Sequence, residues 1–341
     1  MKLLVTGAAG FIGSAYVHSV LENHPEDEIL SLDALTYAGN LANLQDVADN
    51  PRQRFVQGNI ADAVLMDELV SECDTIVNFA AETHVDRSLL DPKSFLTSNV
   101  EGVYVLLDAA RRHGRRVLLV STDEVYGDVP EGVFSTELDA IAPRSPYSAA
   151  KAGGELFGRS FFVSYGTDVL ITRGCNTIGP RQYPEKLVPL FVTNALRNES
   201  LPVYGDGMQV RDWLHAEDHA AGIDLALRHG RSGEIYNIGA GNECPNIDLV
   251  RGILSYLGKD ESLITHVPDR AGHDRRYALS SEKIRTELGW APVRDFEQTL
   301  HDTIDWYVAN TAWWSAIRDG SEEFASYYEK QYAWRLAAAT S

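Results

Sequence analysis

The chain has 341 residues, 44% hydrophobic and 23% charged, which suits one large domain or two closely joined ones and argues against disorder. Its net charge of −19 gives no sign of the basic face of a nucleic-acid-binding protein, and it argues against an anionic membrane surface. Its three cysteines lack metal-ligand spacing, and neither a signal peptide nor a membrane-spanning segment is evident, so a cytoplasmic location is expected.

Strand-like and helix-like segments alternate through the first half of the chain. The expected strands are 3–6, 29–33, 55–57, 75–79, 117–121 and 169–172. The expected helices are 11–22, 63–72, 94–112 and 147–165. This alternation predicts an α/β fold with a Rossmann-type, doubly wound parallel sheet.

The pattern after residue 173 is less regular. Residues 187–198 and 213–228 are predicted to be helical, 202–204 and 235–238 to be strands, and 245–330 to be short helices and loops. We expect a dinucleotide-binding domain in 1–175, to which 213–240 return. Residues 176–212 and 241–330 are expected to form a smaller, mixed α/β lobe that binds substrate, and 331–341 an Ala-rich tail.

Gly7, Gly10 and Gly13 join the first strand to the first helix. Such a turn lets backbone amides approach a pyrophosphate at a helix N-terminus. Asp33 ends the next strand, where a carboxylate accepts hydrogen bonds from the adenosine ribose hydroxyls and repels a 2′-phosphate. Together they predict NAD rather than NADP as cofactor. A flexible turn and a strand-terminating Asp are the simpler alternatives.

Tyr147 and Lys151 are four residues apart at the start of a predicted helix, so their side chains lie on one face. A neighbouring ammonium stabilises a phenolate, which predicts a lowered pKa for Tyr147 and a base for removing a hydroxyl proton during hydride transfer. Lys151 could also orient the nicotinamide ribose. Taken alone, this spacing is typical of an ordinary pair on a helix surface.

Asp123 and Glu124 are adjacent carboxylates that follow a buried strand, at the sheet edge that faces the ligand crevice. Strand geometry would send them to opposite faces, so both can reach one substrate only if the chain turns right after Thr122. For this segment alone, the commoner explanation is a helix start with acids at its positive end. In the context of the whole chain, the pair can divide acid and base roles if their environments separate the two pKa values.

The glycine spacing, with Tyr147 and Lys151, resembles the extended short-chain dehydrogenase/reductase superfamily. The tandem acid in residues 122–127 is similar to that of the dTDP-glucose 4,6-dehydratase family, whereas related GDP-mannose dehydratases lack Asp at the first position. Further segments resemble the same family over nearly the whole chain: 33–40, 80–88, 173–176, 204–213 and 269–274.

The resemblance implies an NAD-dependent lyase for deoxysugar biosynthesis. Tyr147, with Thr122 and Lys151, would take the O4 proton of dTDP-glucose while NAD accepts the C4 hydride. Glu124 would remove the C5 proton, and Asp123 would protonate the departing C6 hydroxyl. Return of the hydride to C6 would give dTDP-4-keto-6-deoxy-glucose with no net change in NAD.

The candidate contacts come from the motifs and from the resemblance. Those expected for NAD are Gly7, Gly10, Phe11, Ile12, Gly13, Asp33, Leu35, Thr36, Asn59, Ile60, Ala80, Ala81, Tyr147, Lys151 and Cys175. Those expected for the nucleotide sugar are Thr83, His84, Asn99, Thr122, Asn176, Lys186, Leu187, Tyr204, Arg211, Asn246, Arg270 and His273. Asn59 stands where the superfamily usually has Asp. No metal is expected, and the resemblance implies a homodimer through a four-helix interface built from residues 94–112 and 147–165.

Two other functions agree less well with these residues. A nucleotide-sugar 4-epimerase needs the redox site but no acid and base for elimination, so Asp123 and Glu124 argue against it. A non-catalytic NAD-sensing regulator would not need Tyr147, Lys151 and Thr122 together. The choice between a thymidine and a uridine nucleotide does not follow from the residues alone.

Overall fold

The computed structural model describes residues 1–339. Its β-strands form one large sheet and two small ones. In chain order they are β1 Lys2–Thr6, β2 Glu28–Asp33, β3 Gln53–Gln57, β4 Thr75–Asn78, β5 Arg116–Thr122, β6 Val169–Gly174, β7 Asn176–Ile178, β8 Leu201–Tyr204, β9 Val210–His215, β10 Ile235–Ile238, β11 Glu243–Pro245 and β12 Ile264–Val267.

A seven-stranded parallel sheet runs in the order β10-β6-β5-β4-β1-β2-β3. The strand order reverses between β1 and β4, and in doubly wound sheets ligands bind at the carboxyl ends of strands at such a switch point. The predicted Rossmann-type fold is confirmed. A three-stranded sheet, β11-β9-β7, and a two-stranded sheet, β12-β8, lie outside it.

The helices cover both faces of the large sheet and also pack with the two small sheets, and the part formed with the small sheets is called the lobe below. They are α1 Phe11–Asn23, α2 Ala63–Ser71, α3 Val85–Leu90, α4 Pro92–Leu96, α5 Gly102–His113, α6 Pro146–Tyr165, α7 Leu187–Arg197, α8 Ala216–His229, α9 Asn246–Tyr256, α10 Glu282–Leu288, α11 Phe296–Ala309, α12 Thr311–Gly320, α13 Glu322–Tyr328 and α14 Trp334–Ala339.

Successive side chains of the central strands point to opposite faces of the sheet and pack into two separate cores. Leu3 of β1 packs with Tyr16 of α1 and Ile223 of α8 on one face. Leu4 packs with Met66 of α2 and other residues on the opposite face. Because both faces are buried, the strands carry nearly continuous apolar runs, as parallel sheets do. A third core lies within the lobe, between α7, α9, α11 and α12.

Two predicted helices differ in detail from the structure. The helix expected over 213–228 begins only at Ala216, because Trp213 continues β9 and pairs with Asn176 of β7. The helix expected over 94–112 begins at Pro92 and contains one π-helical turn, Thr97–Glu101. Aromatic and apolar residues in 213–215 fit either element, so tertiary pairing decides between them.

Residues 331–339 of the expected C-terminal tail pack against the rest of the structure, whereas 340 and 341 lie outside the described residues. A π-helical turn, Glu329–Ala333, leads from α13 into α14. The side chains of Gln331, Tyr332 and Arg335 are buried. The Ala-rich composition of this segment did not predict its contacts. They depend on three polar or aromatic side chains and not on the run of Ala residues.

Arg87 of α3 joins three distant parts of the chain. Its guanidinium lies 3.7 Å from the centre of the Tyr37 ring and 4.4 Å from that of Tyr327 in α13. It forms ion pairs of 2.9 Å with Glu185 and with Glu323. Cation–π contacts and partly buried ion pairs of this kind hold the sheet domain, the lobe and α13 together.

Candidate active site

The glycine turn after β1 is packed so tightly that side chains would not fit. A Cβ on Gly13 would lie 2.1 Å from the carbonyl oxygen of Gly7, and Gly7 itself has a φ of +66°. Gly10 caps α1 without a side-chain hydrogen bond, and the first turn of α1 carries no acid. The helix N-terminus therefore keeps free amides and an unopposed dipole, which suit a pyrophosphate.

Asp33, at the end of β2, holds the glycine turn in place. Its carboxylate accepts hydrogen bonds from the amides of Ala9 at 2.9 Å and Leu35 at 2.8 Å. Burial raises the pKa of Asp33, while these amides act in the opposite direction. The carboxylate lines the cavity beside the glycine turn, where a ribose could donate to it.

A first cavity of about 320 Å³ extends from the glycine turn to the end of β5. Its lining includes these predicted cofactor contacts: Gly7, Gly10, Phe11, Ile12, Gly13, Asp33, Thr36, Asn59, Ile60, Ala80, Ala81, Tyr147, Lys151 and Cys175. Leu35 is the one predicted cofactor contact that lies outside this lining. With a φ of 51° it lies in the left-handed region, and its side chain packs against the core beside α1 instead of lining the cavity.

The chain turns immediately after Thr122, as simultaneous use of both acids requires. A 3₁₀ turn, Asp123–Tyr126, follows β5 directly, and the Thr122 hydroxyl accepts a hydrogen bond from the amide of Glu124 at 3.3 Å. Asp123 and Glu124 therefore both line the first cavity, with Thr122 between them and the strand. Thr122 caps this helical turn and the two acids lie within it, at the end where acids are favoured, so the simple explanation is compatible with a functional one.

Asp123 is buried and Glu124 is half-buried, and each carboxylate has one oxygen without a hydrogen bond. Oδ2 of Asp123 and Oε2 of Glu124 have no hydrogen-bond partner within the protein. Burial, followed by the charge of Glu124, raises the pKa of Asp123 to about 8. Burial also raises the pKa of Glu124, but Arg270, Arg211 and Lys186 act in the opposite direction. The environment thus favours a protonated Asp123, with cations that favour ionisation grouped around Glu124.

Tyr147 and Lys151 also line the first cavity, near the start of α6. The capping box of Ser145 and Ser148 fixes this helix start. The predicted lowering of the Tyr147 pKa is wrong, because burial and the charge of Glu124 raise it well above its usual range. Lys151 donates to the carbonyl of Val120 at 2.6 Å, and burial lowers its pKa to about 8.

A second cavity of about 150 Å³ adjoins the first. Predicted substrate contacts in its lining are Thr83, His84, Asn176, Lys186, Leu187, Tyr204, Arg211, Asn246, Arg270 and His273. Glu124 lines both cavities, so the acid pair stands at their junction. Oδ1 of Asn246 and Nε of Arg270 are buried without partners in the protein. Such groups are costly to leave unpaired and are suited to a polar ligand.

Asn99, predicted as a substrate contact, lines neither cavity, and its amide bonds to the protein backbone. Its Oδ1 accepts from the amide of Glu82 and its Nδ2 donates to the carbonyl of Glu82, both at 2.9 Å. Asn99 therefore holds the loop after β4. This buried side chain is an example of a polar residue whose role is to satisfy backbone groups.

Several lining residues were missed by the sequence analysis. Those of the first cavity include Tyr37, Glu82, Gln182, Tyr183, Glu185, Trp213 and His219, and those of the second include Asp86, Phe191, Tyr277 and Tyr332. Asp86 could have been found, since it lies within the segment 80–88 that carried the resemblance. Tyr332 had no signal, because it lies in the expected tail.

Comparison with known proteins agrees with this geometry. The family described as GDP-mannose 4,6 dehydratase matches residues 4–303. A dTDP-glucose 4,6-dehydratase from Streptomyces antibioticus is 51% identical over 324 residues, covering 93% of this chain and 96% of that protein. The low-salt glycan biosynthesis protein Agl12 from Haloferax volcanii is 50% identical over 311 residues, covering 91% and 99%.

A solved structure of DesIV, a dTDP-glucose 4,6-dehydratase from Streptomyces venezuelae with NAD bound, superposes with a TM-score of 0.91. It is 50% identical and covers 93% of this chain and all of that one, 100%. The fold and site thus define an extended short-chain dehydrogenase/reductase. Within that superfamily, the chain belongs to the dTDP-glucose 4,6-dehydratase family.

No helix within residues 1–339 is long and apolar enough to cross a bilayer. Over the same part of the chain, no group of three or more His, Cys, Asp or Glu side chains is arranged to hold a metal ion.

Proposed function

We propose that the chain is an NAD-dependent lyase that converts dTDP-glucose into dTDP-4-keto-6-deoxy-glucose. The observation that carries this proposal is the position of Glu124 at the junction of the two cavities, next to Asp123. The redox residues line the first cavity, and cations line the second. A sugar at the junction would be within reach of both the redox residues and the acid pair.

The residues of the first cavity fit NAD. The glycine turn would hold its pyrophosphate, and Asp33 would accept from its adenosine ribose. Bound NAD would supply an acceptor for the C4 hydride and a donor of that hydride to C6, and its positive nicotinamide would favour the phenolate form of Tyr147.

The protein residues divide the proton transfers between them. Tyr147 takes the O4 proton, assisted by the Thr122 hydroxyl. The resulting C4 ketone acidifies the C5 proton, which Glu124 removes as a carboxylate and gives back to C5 when C6 takes the hydride. Asp123, whose pKa is raised to about 8, is protonated at neutral pH and can donate to the departing C6 hydroxyl.

Isotope transfer tests the proposed reaction directly. Incubation with dTDP-glucose deuterated at C4 should give product deuterated at C6, because one cofactor serves both carbons. UDP-glucose run in parallel tests the choice of nucleotide. Inversion at C4 without loss of water would instead identify a 4-epimerase and contradict the proposal.

The role of Glu124 has its own test. The Glu124→Gln variant should still oxidise C4 and accumulate NADH absorbance, but should release 4-keto-6-deoxy product at least about 100-fold more slowly. Glu131→Gln, a change at an exposed residue outside both cavities, is the control. Wild-type product release by Glu124→Gln would contradict the assigned role.

We further propose that the chain forms a homodimer through α5 and α6 and acts in the cytoplasm. Apolar and aromatic side chains on the outer faces of these helices are exposed: Tyr104, Leu156, Phe157, Val163 and Tyr165. Sedimentation should give a dimer at micromolar concentration. Tyr104→Glu should yield monomer, whereas the exposed Leu138→Glu should not; a monomeric parent would refute the dimer.

A further inference from the structure

Asn43 is a buried polar residue that lies between the glycine turn and the lobe. It belongs to a 3₁₀ helix, Leu41–Val47, in the connection from β2 to β3, and it is 1% exposed. Its side chain lines neither of the two cavities. Burying an amide is costly unless its donor and acceptor atoms find partners, so the partners of Asn43 indicate its role.

The nitrogen of the Asn43 amide binds the glycine turn. Nδ2 donates to the carbonyl oxygen of Ala9 at 2.8 Å. The same carbonyl oxygen accepts from the backbone amide of Asn40 at 3.0 Å. The backbone amide of Ala9, in turn, donates to the carboxylate of Asp33 at 2.9 Å. Ala9 is thus held through both of its backbone groups, with its N–H on one side chain and its C=O on another.

The oxygen of the Asn43 amide binds the lobe. Oδ1 accepts from Nε1 of Trp313 in α12 at 3.1 Å. The Trp313 ring packs edge-on against Trp306 and Tyr307 of α11, with ring centroids 5.1 and 6.4 Å apart. Because the planar amide cannot rotate without breaking both of its hydrogen bonds, the lobe fixes the orientation in which Asn43 reaches Ala9.

The backbone of Asn43 makes a third contact, to the helix that follows the glycine turn. Its carbonyl oxygen accepts from Nε2 of His18 in α1 at 3.0 Å. Asn43 therefore joins the turn, α1 and α12 at one point. The backbone amides at the start of α1 are the groups that suit a pyrophosphate, and their position depends on the turn that Asn43 holds.

We propose that Asn43 is a positioning residue for NAD, which acts through Ala9 to hold the glycine turn, and that Trp313 of the lobe keeps Asn43 in place. Asn43 does not touch the cofactor in this arrangement. The proposal rests on the proposed function, because that function places NAD in the first cavity. Its consequence is that retention of NAD, a ligand of the sheet domain, depends on a hydrogen bond from the lobe.

Exchange of bound NAD against an excess of radiolabelled NAD gives its dissociation rate from the holoenzyme and tests the proposal without turnover. Asn43→Leu removes both hydrogen bonds of the amide at similar volume and should speed NAD release about tenfold. Trp313→Phe removes only the donor from the lobe and should speed release about threefold. Trp306→Phe makes the same change in the adjacent ring, leaves the bond to Asn43 intact, and should release NAD like the parent.

A double-mutant cycle and a second ligand separate positioning from general stability. Trp313→Phe should have no further effect on NAD release in an Asn43→Leu background, because the two residues act through one contact. Affinity for dTDP should stay within about twofold of the parent, since neither residue lines the second cavity. A lower melting temperature with parental NAD release, or additive effects of the two changes, would overturn the proposal. If Asn43→Leu does not fold, NAD release from Trp313→Phe against Trp306→Phe decides.

The failure of this inference can be told apart from failure of the proposed function. NAD release that depends on Asn43 and Trp313, in an enzyme that does not convert dTDP-glucose, would support the inference and contradict the function. Conversion of dTDP-glucose by an enzyme whose NAD release is indifferent to both residues would do the reverse.

Discussion

The two cavities that meet at Glu124 are built in different ways. The cofactor end of the first cavity is made largely of backbone: a glycine turn, a helix N-terminus and one carboxylate that braces them. The second cavity is made of side chains from segments that lie between Thr83 and Tyr332. A backbone site leaves a short, local pattern in the sequence, whereas a side-chain site depends on the whole fold.

If the first cavity is truly a backbone site, a single methyl group should destroy it. Gly13→Ala places a Cβ 2.1 Å from the Gly7 carbonyl oxygen, an atom that cannot move without opening the turn. We expect NAD affinity to fall about 100-fold or more by calorimetry. Gly320→Ala, where a Cβ meets nothing within 4 Å, should bind NAD normally. Retained NAD affinity in Gly13→Ala would contradict the claim that the cofactor end of the first cavity depends on tightly packed backbone.

The second cavity should respond to removal of a single charge. Arg270→Met deletes a buried guanidinium whose Nε has no partner in the protein. We expect KM for dTDP-glucose to rise about 30-fold, the typical effect of losing a charged hydrogen bond, with NAD affinity unchanged. Arg275→Met, which removes an exposed guanidinium paired with Asp206, serves as control. If both variants raised KM equally, the cause would be the loss of a positive charge from the protein and not the loss of a contact made by Arg270.

At the junction of the two cavities, the protonation state of Asp123 should make kcat depend on pH. Its pKa is raised to about 8, so the acid form required for donation is present below that pH and is lost above it. We expect kcat to fall about tenfold per pH unit above pH 8. Asp123→Asn should be slower but should lack this alkaline limb. An alkaline limb that persists unchanged in Asp123→Asn would assign it to another group.

The smallest effect is expected at Asn59. Its Oδ1 accepts from the amide of Ala61 at 2.9 Å, and a carboxylate could accept the same hydrogen bond. Asn59→Asp should therefore keep the loop and change NAD affinity by no more than about threefold, as measured by fluorescence titration. A tenfold change would show that the adenine end depends on this one side chain.

The sequence predicted the cofactor region well for a physical reason. Gly7, Gly10, Gly13 and Asp33 act at fixed local spacing, and the strands around them are apolar enough to be recognised. Trp213 shows where this reasoning stops, because its place in β9 depends on pairing with Asn176. Asn99 and Tyr332 show the same limit. Asn99 is a polar residue with a structural role, and Tyr332 is an aromatic residue of an Ala-rich tail that lines the second cavity.

The Tyr147 and Lys151 pair teaches a second lesson. Spacing correctly brought both residues to the first cavity, but the predicted direction of the Tyr147 pKa was wrong. Spacing carries no information about burial or about Glu124, which approaches from another element. Electrostatic predictions therefore need the packed environment, whereas face-of-helix predictions do not.

The contacts of Arg87 bear on how this protein comes apart. An intermediate with the sheet intact and the lobe detached would strip its guanidinium of Glu185, Glu323 and the Tyr327 ring, leaving a partly buried cation beside Tyr37 alone. Such a species is costly, since breaking partly buried ion pairs leaves a charge uncompensated. The lobe, α13 and the loop at Tyr37 are thereby coupled into one cooperative unfolding unit, and their amides should exchange with solvent together.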